Sequence, residues 1–165
     1  MGLDPLKLPD KSLKVPVLGG MQLHNGSLSG LGSIRSTGPN YLRSDDRGTE
    51  LHIDMGTGSV AINYTTTISV LFLSVDVYIF VDVDSTRLTV TINETSNAKL
   101  ALQSFEIMSL QGLDIRLKAL KLTDPATNAI LGTATTVLRG LIKVVAESIM
   151  REMIIEVIKK VNEQL

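Results

Sequence analysis

The side chains with chemical potential are few, and their spacing assembles no reaction centre. The 165 residues hold two histidines, His24 and His52, and no cysteine. Each histidine falls inside a strand-like pattern, and no HxxxH, HxH or HExxH spacing gathers them with carboxylates as a metal site or general base would require. The carboxylates Asp76, Asp82 and Asp84 share one face of a strand-like run. They lack the glycine-punctuated loop and terminal glutamate of an EF-hand, so they read as a solvated strand face. Phosphate loops, dinucleotide fingerprints and GxSxG elbows do not occur. The expectation is a protein that is not an enzyme, with no metal and no cofactor.

The elements that carry these residues are patterned by apolar side chains. In "SVDVYIFVDVDSTRLTVTINETS", Val75, Val77, Ile79, Val81 and Val83 alternate with Asp76, Tyr78, Phe80, Asp82 and Asp84. This period of two predicts a strand with one dry face. A turn near Ser85-Thr86 would then return Leu88, Val90 and Ile92 inward as the second arm of a hairpin. Upstream, Leu51, Ile53 and Met55 share a face, and Gly56-Thr57-Gly58 marks a turn or bulge. Downstream, strands are predicted over Leu100 to Met108 and Leu113 to Leu122, broken by Gln111-Gly112. Pro5, Pro9 and Pro16 make residues 1–19 an extended lead-in, and antiparallel strands occupy 20–122.

From residue 126 to 165 the pattern is a single helix, capped by Thr123 or Asp124. Ile130, Ala134, Val137, Leu138, Leu141, Val145 and Ile149 form the expected stripe, yet Leu131, Ile142, Val144, Met150, Ile154, Ile155, Ile158 and Val161 widen it past half the circumference. Only Thr136, Arg139, Lys143, Glu147 and Arg151 leave a polar line. Strands first and one oily helix last predict a single α+β domain over residues 1–165: a long, strongly curved antiparallel sheet wrapped around the C-terminal helix.

A net charge of -1 gives no electrostatic case for nucleic acid. Lys143, Glu147, Arg151 and Glu152 interrupt the helix, so no transmembrane segment is expected. Three glycosylation sequons begin at Asn25, Asn63 and Asn93, which permits a secreted glycoprotein. No leader peptide is visible at Met1-Gly2-Leu3-Asp4-Pro5, so the chain reads as a mature or trimmed sequence.

The segment Leu3-Asp4-Pro5-Leu6-Lys7-Leu8-Pro9-Asp10, the glycine-rich "GSLSGLGSIRSTG" and the helix after Asp124-Pro125 together resemble the group 7 mite allergens. More distantly the chain looks like the takeout and juvenile-hormone-binding proteins and the bactericidal/permeability-increasing proteins, all of the tubular lipid-binding superfamily. Group 7 allergens carry a further amino-terminal helix before this segment, so one wall of the fold is expected to be absent or supplied otherwise. Takeout-type carriers usually have an amino-terminal disulfide, which the lack of cysteine forbids, and this favours the mite-like branch.

The resemblance implies an elongated apolar tunnel between sheet and helix. Its expected lining is Leu51, Ile53, Met55, Val77, Ile79 and Val81 from the strands, with Met150, Met153, Ile154, Val157 and Ile158 from the helix. The flexible thioethers of Met55, Met108, Met150 and Met153 suit a surface that repacks around varied guests. The function that follows is secreted, extracellular binding of an apolar small molecule or lipid, such as a fatty acid or terpenoid. The alternative is an allergen-like interaction protein with a filled core, binding a host or microbial partner through its surface. Uncovered apolar surface on the sheet makes a homodimer a further expectation.

Overall fold

The computed structural model describes residues 4–15, 19–70, 73–121 and 124–164. Alternating apolar and polar residues dominate the first two thirds of the chain, and the described residues there form eleven strands. These are β1 (Leu6–Leu8), β2 (Lys11–Val15), β3 (Gly19–Ser29), β4 (Arg35–Ser36), β5 (Tyr41–Asp45), β6 (Gly48–Thr57), β7 (Val60–Val70), β8 (Leu73–Val83), β9 (Ser85–Glu94), β10 (Leu100–Gln111) and β11 (Asp114–Ala119). One helix, α1 (Pro125–Asn162), ends the fold. All strand pairings are antiparallel.

Three long runs, β6–β7, β8–β9 and β10–β11, form the frame. Each passes from one sheet to the other through a short break, at residues 58–59, 84 and 112–113. The first sheet runs β1-β3-β7-β8-β11, with β2 also on β3, and the second runs β10-β9-β6-β4, with β5 also on β6. Register is continuous across the break: Thr57 faces Thr86 and Val60 faces Val83, while Gln111 faces Ser85 and Asp114 faces Asp82. The two sheets are therefore the halves of one bent meander. At the bend the Asp84 N–H donates to the Gln111 carbonyl at 2.9 Å. Gly112 sits beside it at φ +65°, where an added Cβ would lie 1.9 Å from the Asp84 carboxylate, so only glycine fits.

This geometry overturns the hairpin expected at Ser85-Thr86. β8 and β9 do not pair; the chain bends at Asp84 and goes on, so β8 lies between β7 and β11 while β9 lies between β6 and β10. Period-two alternation cannot distinguish a reversal from a bend, because both preserve which side chains face inward. The face assignment itself stands: Val77, Ile79, Val81, Val83, Leu88 and Val90 are all buried. The lead-in is not a free arm, since β1 and β2 both pair with β3; Pro16 lies outside the described residues.

The Asp124 carboxylate caps α1 by accepting from the Thr127 N–H at 2.8 Å, and Pro125 takes the first helical position. Thr123, the other expected cap, lies outside the described residues. The stripe Ala134, Leu138 and Ile149 is buried against the first half of the meander, and Ala146 against the second. Two attachments fix the helix laterally. Lys11 donates to Ser148 Oγ at 3.0 Å and pairs with Glu152, and the Asn162 amide brackets the Leu100 backbone by accepting at 2.7 Å and donating at 2.8 Å. By length and composition alone α1 is apolar enough to span a membrane, so the punctuating charges do not disqualify it as expected. Here its apolar face packs on the sheet.

Candidate functional site

Between the second half of the meander and the C-terminal half of α1 lies an apolar cleft of about 300 Å³. Its floor is built by inward positions of two paired strands, Ile53 and Met55 from β6 and Leu88, Val90 and Ile92 from β9. Leu6, Leu28 and Leu31 close one side, and Met150, Met153, Ile154, Val157 and Ile158 form the helical wall. Residues 150, 153, 154, 157 and 158 follow the three- and four-residue steps of one helix face, which is why a single helix supplies a whole wall. Every lining residue is aliphatic or a thioether.

The cleft does not end there. Leu28, Leu31, Met150 and Met153 also line a second void of about 50 Å³ beneath the bend, with Val81, Thr57 and Thr86 among its walls. Ile62, Val81, Ile142, Ala146 and Ile149 join that void to a third, of about 30 Å³, bounded by Ile79, Ile115, Leu138 and Tyr64. Three apolar spaces thus lie end to end along the helix, wide at the open end and almost closed at the other. Among the described residues none of their walls carries a charge.

The five helix residues named from sequence all share this cleft with Ile53 and Met55. Val81 lies at the second void and Ile79 at the third. Val77 is fully buried in the filled core and lines none of the described spaces, and neither does Leu51. The cause is the bend: residues 77, 79 and 81 precede Asp84 and belong to the other half of the meander. Met108 is half exposed on β10 and offers nothing to the cleft. Leu6, Leu28, Leu31, Leu88, Val90 and Ile92 were not among the lining residues expected. For the β9 trio the signal was present in the alternation, which already places Leu88, Val90 and Ile92 inward.

The polar candidates take structural places. His24 Nδ1 lies 3.0 Å from the exposed Asp10, whose carboxyl is held below its usual range by that hydrogen bond. His52 contacts Thr91 at 3.0 Å and stacks on Tyr41 on the outer face of β6. Beside it, buried Asp54 accepts from Arg87 at 2.6 and 3.0 Å and from Thr37 at 2.6 Å; the Arg87 hydrogen bonds above all, then Thr37, hold its carboxyl down at about 2. Asp76 accepts from Thr67, and Asp82 pairs with Arg116. Among the described residues no three His, Asp or Glu side chains gather as metal ligands.

The three sequon asparagines differ in setting. Asn25 is exposed, with φ +53°, at an irregularity of β3 where pairing with β7 shifts register. Asn63 is half-buried in mid-strand between Ser27 and Phe80, and the Asn93 side-chain oxygen is buried without a partner among the described residues.

The fold recurs in a solved structure. Takeout 1 of Epiphyas postvittana superposes with a TM-score of 0.52 at 14% identity, covering 96% of this chain and 74% of that one. Lipopolysaccharide binding protein gives 0.46 at 16% identity, over 92% of this chain and 33% of that one. No curated protein sequence matches the chain. The family model described as Group 7 allergen matches residues 1–158, and with the bent meander and its single long helix in place, the chain belongs to the Group 7 allergen family.

Proposed function

We propose that the protein is a secreted, non-enzymatic carrier or sensor of an apolar ligand, a fatty acid, lipid or terpenoid held between the meander and α1. One observation carries this reading: the charge-free series of spaces along the helix, about 300 Å³ at its open end. A compact core has no use for such a volume, because a void forfeits the dispersion contacts of its lining. Burial of ligand surface at roughly 25 cal/mol per Å² would supply the affinity, and the scarcity of polar groups makes selection loose. Secretion is supported by the accessible sequon at Asn25. Native mass spectrometry of the protein purified without detergent is the test: a co-purifying lipid is expected, released by solvent extraction. A strictly unliganded protein that also fails to take up added lipid would refute the carrier.

A second reading rests on the outer edge of α1, where Val144 and Ile155 are exposed. In this reading the edge meets a partner protein or a second copy of the chain. Light scattering at about 100 μM separates the cases, since a strict monomer there excludes a dimer of ordinary affinity.

A further inference from the structure

Among the described residues, the polar side chains of the apolar series without an assigned role line the middle void, beneath the bend. Thr57 on β6 and Thr86 on β9 stand directly opposite each other, and both occupy inward positions of their strands. They continue the same faces as Met55 and Leu88, where alternation would otherwise place aliphatic residues. Thr57 is 7% exposed, and its hydroxyl is buried with no hydrogen-bond partner among the described residues. A buried hydroxyl without a partner is costly, whereas a valine of the same shape would carry no such cost. The other polar group in the series, the Tyr64 hydroxyl, is already committed: it donates to the Pro9 carbonyl at 3.1 Å, and burial pushes its pKa up to about 12.

We propose that the Thr57–Thr86 pair is the polar anchor of the cavity and selects neutral amphiphiles bearing one hydrogen-bonding oxygen, such as long-chain alcohols and esters, over ionised fatty acids. This inference rests on the carrier reading. The chemistry follows from what surrounds the pair. A hydroxyl donates well to a neutral alcohol or ester oxygen, and it can also accept from an alcohol. A carboxylate carried to the same depth would meet no cation, because no lining residue of the three spaces is charged, and burial of an unpaired charge is strongly unfavourable. The apolar tail would occupy the open cleft between Ile53, Met55 and the helical wall, with its head inward at the bend.

The test uses the full chain, the neutral fluorescent probe N-phenyl-1-naphthylamine, and three competitors of equal chain length at pH 7.4: 1-dodecanol, methyl dodecanoate and sodium dodecanoate. The alcohol and ester are expected to displace the probe at concentrations about fivefold or more below the carboxylate, a difference on the scale of one hydrogen bond. In the Thr57→Val/Thr86→Val variant, probe binding should persist within twofold while the preference disappears. Thr57→Ser, which keeps the hydroxyl, should retain it. Equal competition by all three ligands, or a preference that survives the double variant, overturns the anchor and leaves the carrier intact, with the head group placed at the mouth. Failure of the wild-type protein to bind the probe or any competitor overturns the carrier and the anchor together.

Discussion

The two halves of the meander are made from the same three strand runs, in the same register and with the same inward alternation, yet one is filled and the other is open. On the β7–β8–β11 side the helix presses Leu138 and Ile149 onto Val77, Ile79 and Val81, with Met21 and Leu23 from β3 closing the edge. The space at the far end of this half is about 30 Å³. On the β6–β9–β10 side a smaller buried group, Leu88, Val90, Phe105, Ile107 and Ala146, underlies a cleft of about 300 Å³. The difference lies in what surrounds them. β3 widens the first half beyond β7, with β1 and β2 paired to it in turn, whereas the second is continued past β6 by the short β4 and β5 and meets a helix face that carries exposed Val157. Strand patterning makes an apolar surface; whether that surface becomes core or cavity depends on what is laid across it.

The largest effect should come from charging the filled half. Ile79→Asp buries an unpaired carboxylate at a position 6% exposed, costing several kcal/mol against a total stability of ~5–15, and should abolish cooperative urea unfolding. Phe80→Asp, on the opposite face, should be tolerated. A folded Ile79→Asp protein would mean that this half is not sealed.

Truncation compares the halves directly. Ile68→Ala, at a fully buried site, should cost about 3 kcal/mol because the hole cannot collapse, while Ile154→Ala, which enlarges an existing cleft, should cost roughly 1 kcal/mol. Equal losses in chemical denaturation would erase the distinction between core and cavity. Filling the open half should do the reverse: Ile154→Trp is expected to weaken binding of a fluorescent fatty-acid probe about tenfold with unchanged far-UV dichroism. Unaltered binding by the folded variant would remove this segment of α1 from the site.

The smallest effect concerns the outer face of the open half. Asp54 has its pKa depressed from 3.8 to about 2 by Arg87 and Thr37, so its contribution is fully present above about pH 4 and is lost as pH falls through about 2. Asp54→Asn should therefore flatten the fall in stability between about pH 4 and pH 2 relative to wild type, measured by thermal melts across that range. An identical acid slope in the two proteins would show that the Asp54–Arg87 pair is no tighter in the native state than in the unfolded chain.

Much of the site was legible residue by residue. Helix periodicity placed Met150, Met153, Ile154, Val157 and Ile158 on one face, and alternation placed Ile53 and Met55 on another; both are local, because a side chain's direction follows from its position in a regular backbone. The errors were all of long range. Val77, Ile79 and Val81 were expected to share the same lining, but they lie beyond the bend at Asp84, and only the pairing partners of β8 and β9 reveal that. Leu6 comes from the lead-in, and Leu28 and Leu31 from the end of β3 and the turn after it; the pairing that brings Leu6 opposite Leu28 has no periodic signature. Thr57 looked like part of a turn flanked by glycines, and its buried hydroxyl becomes visible only once β9 is set against β6.

The sequence by itself determined the element types, their inward faces, the antiparallel α+β architecture and an apolar helix too broad for an ordinary surface. Each of these follows from steric and hydrophobic preferences acting within a few residues. Tertiary structure alone decided that the strands bend rather than reverse, that the bend divides a core from a cleft, and that an unpaired hydroxyl lies between them. Those outcomes depend on which distant segments pack against a given face, and the local pattern of a strand is the same whether its neighbour fills the space or leaves it open.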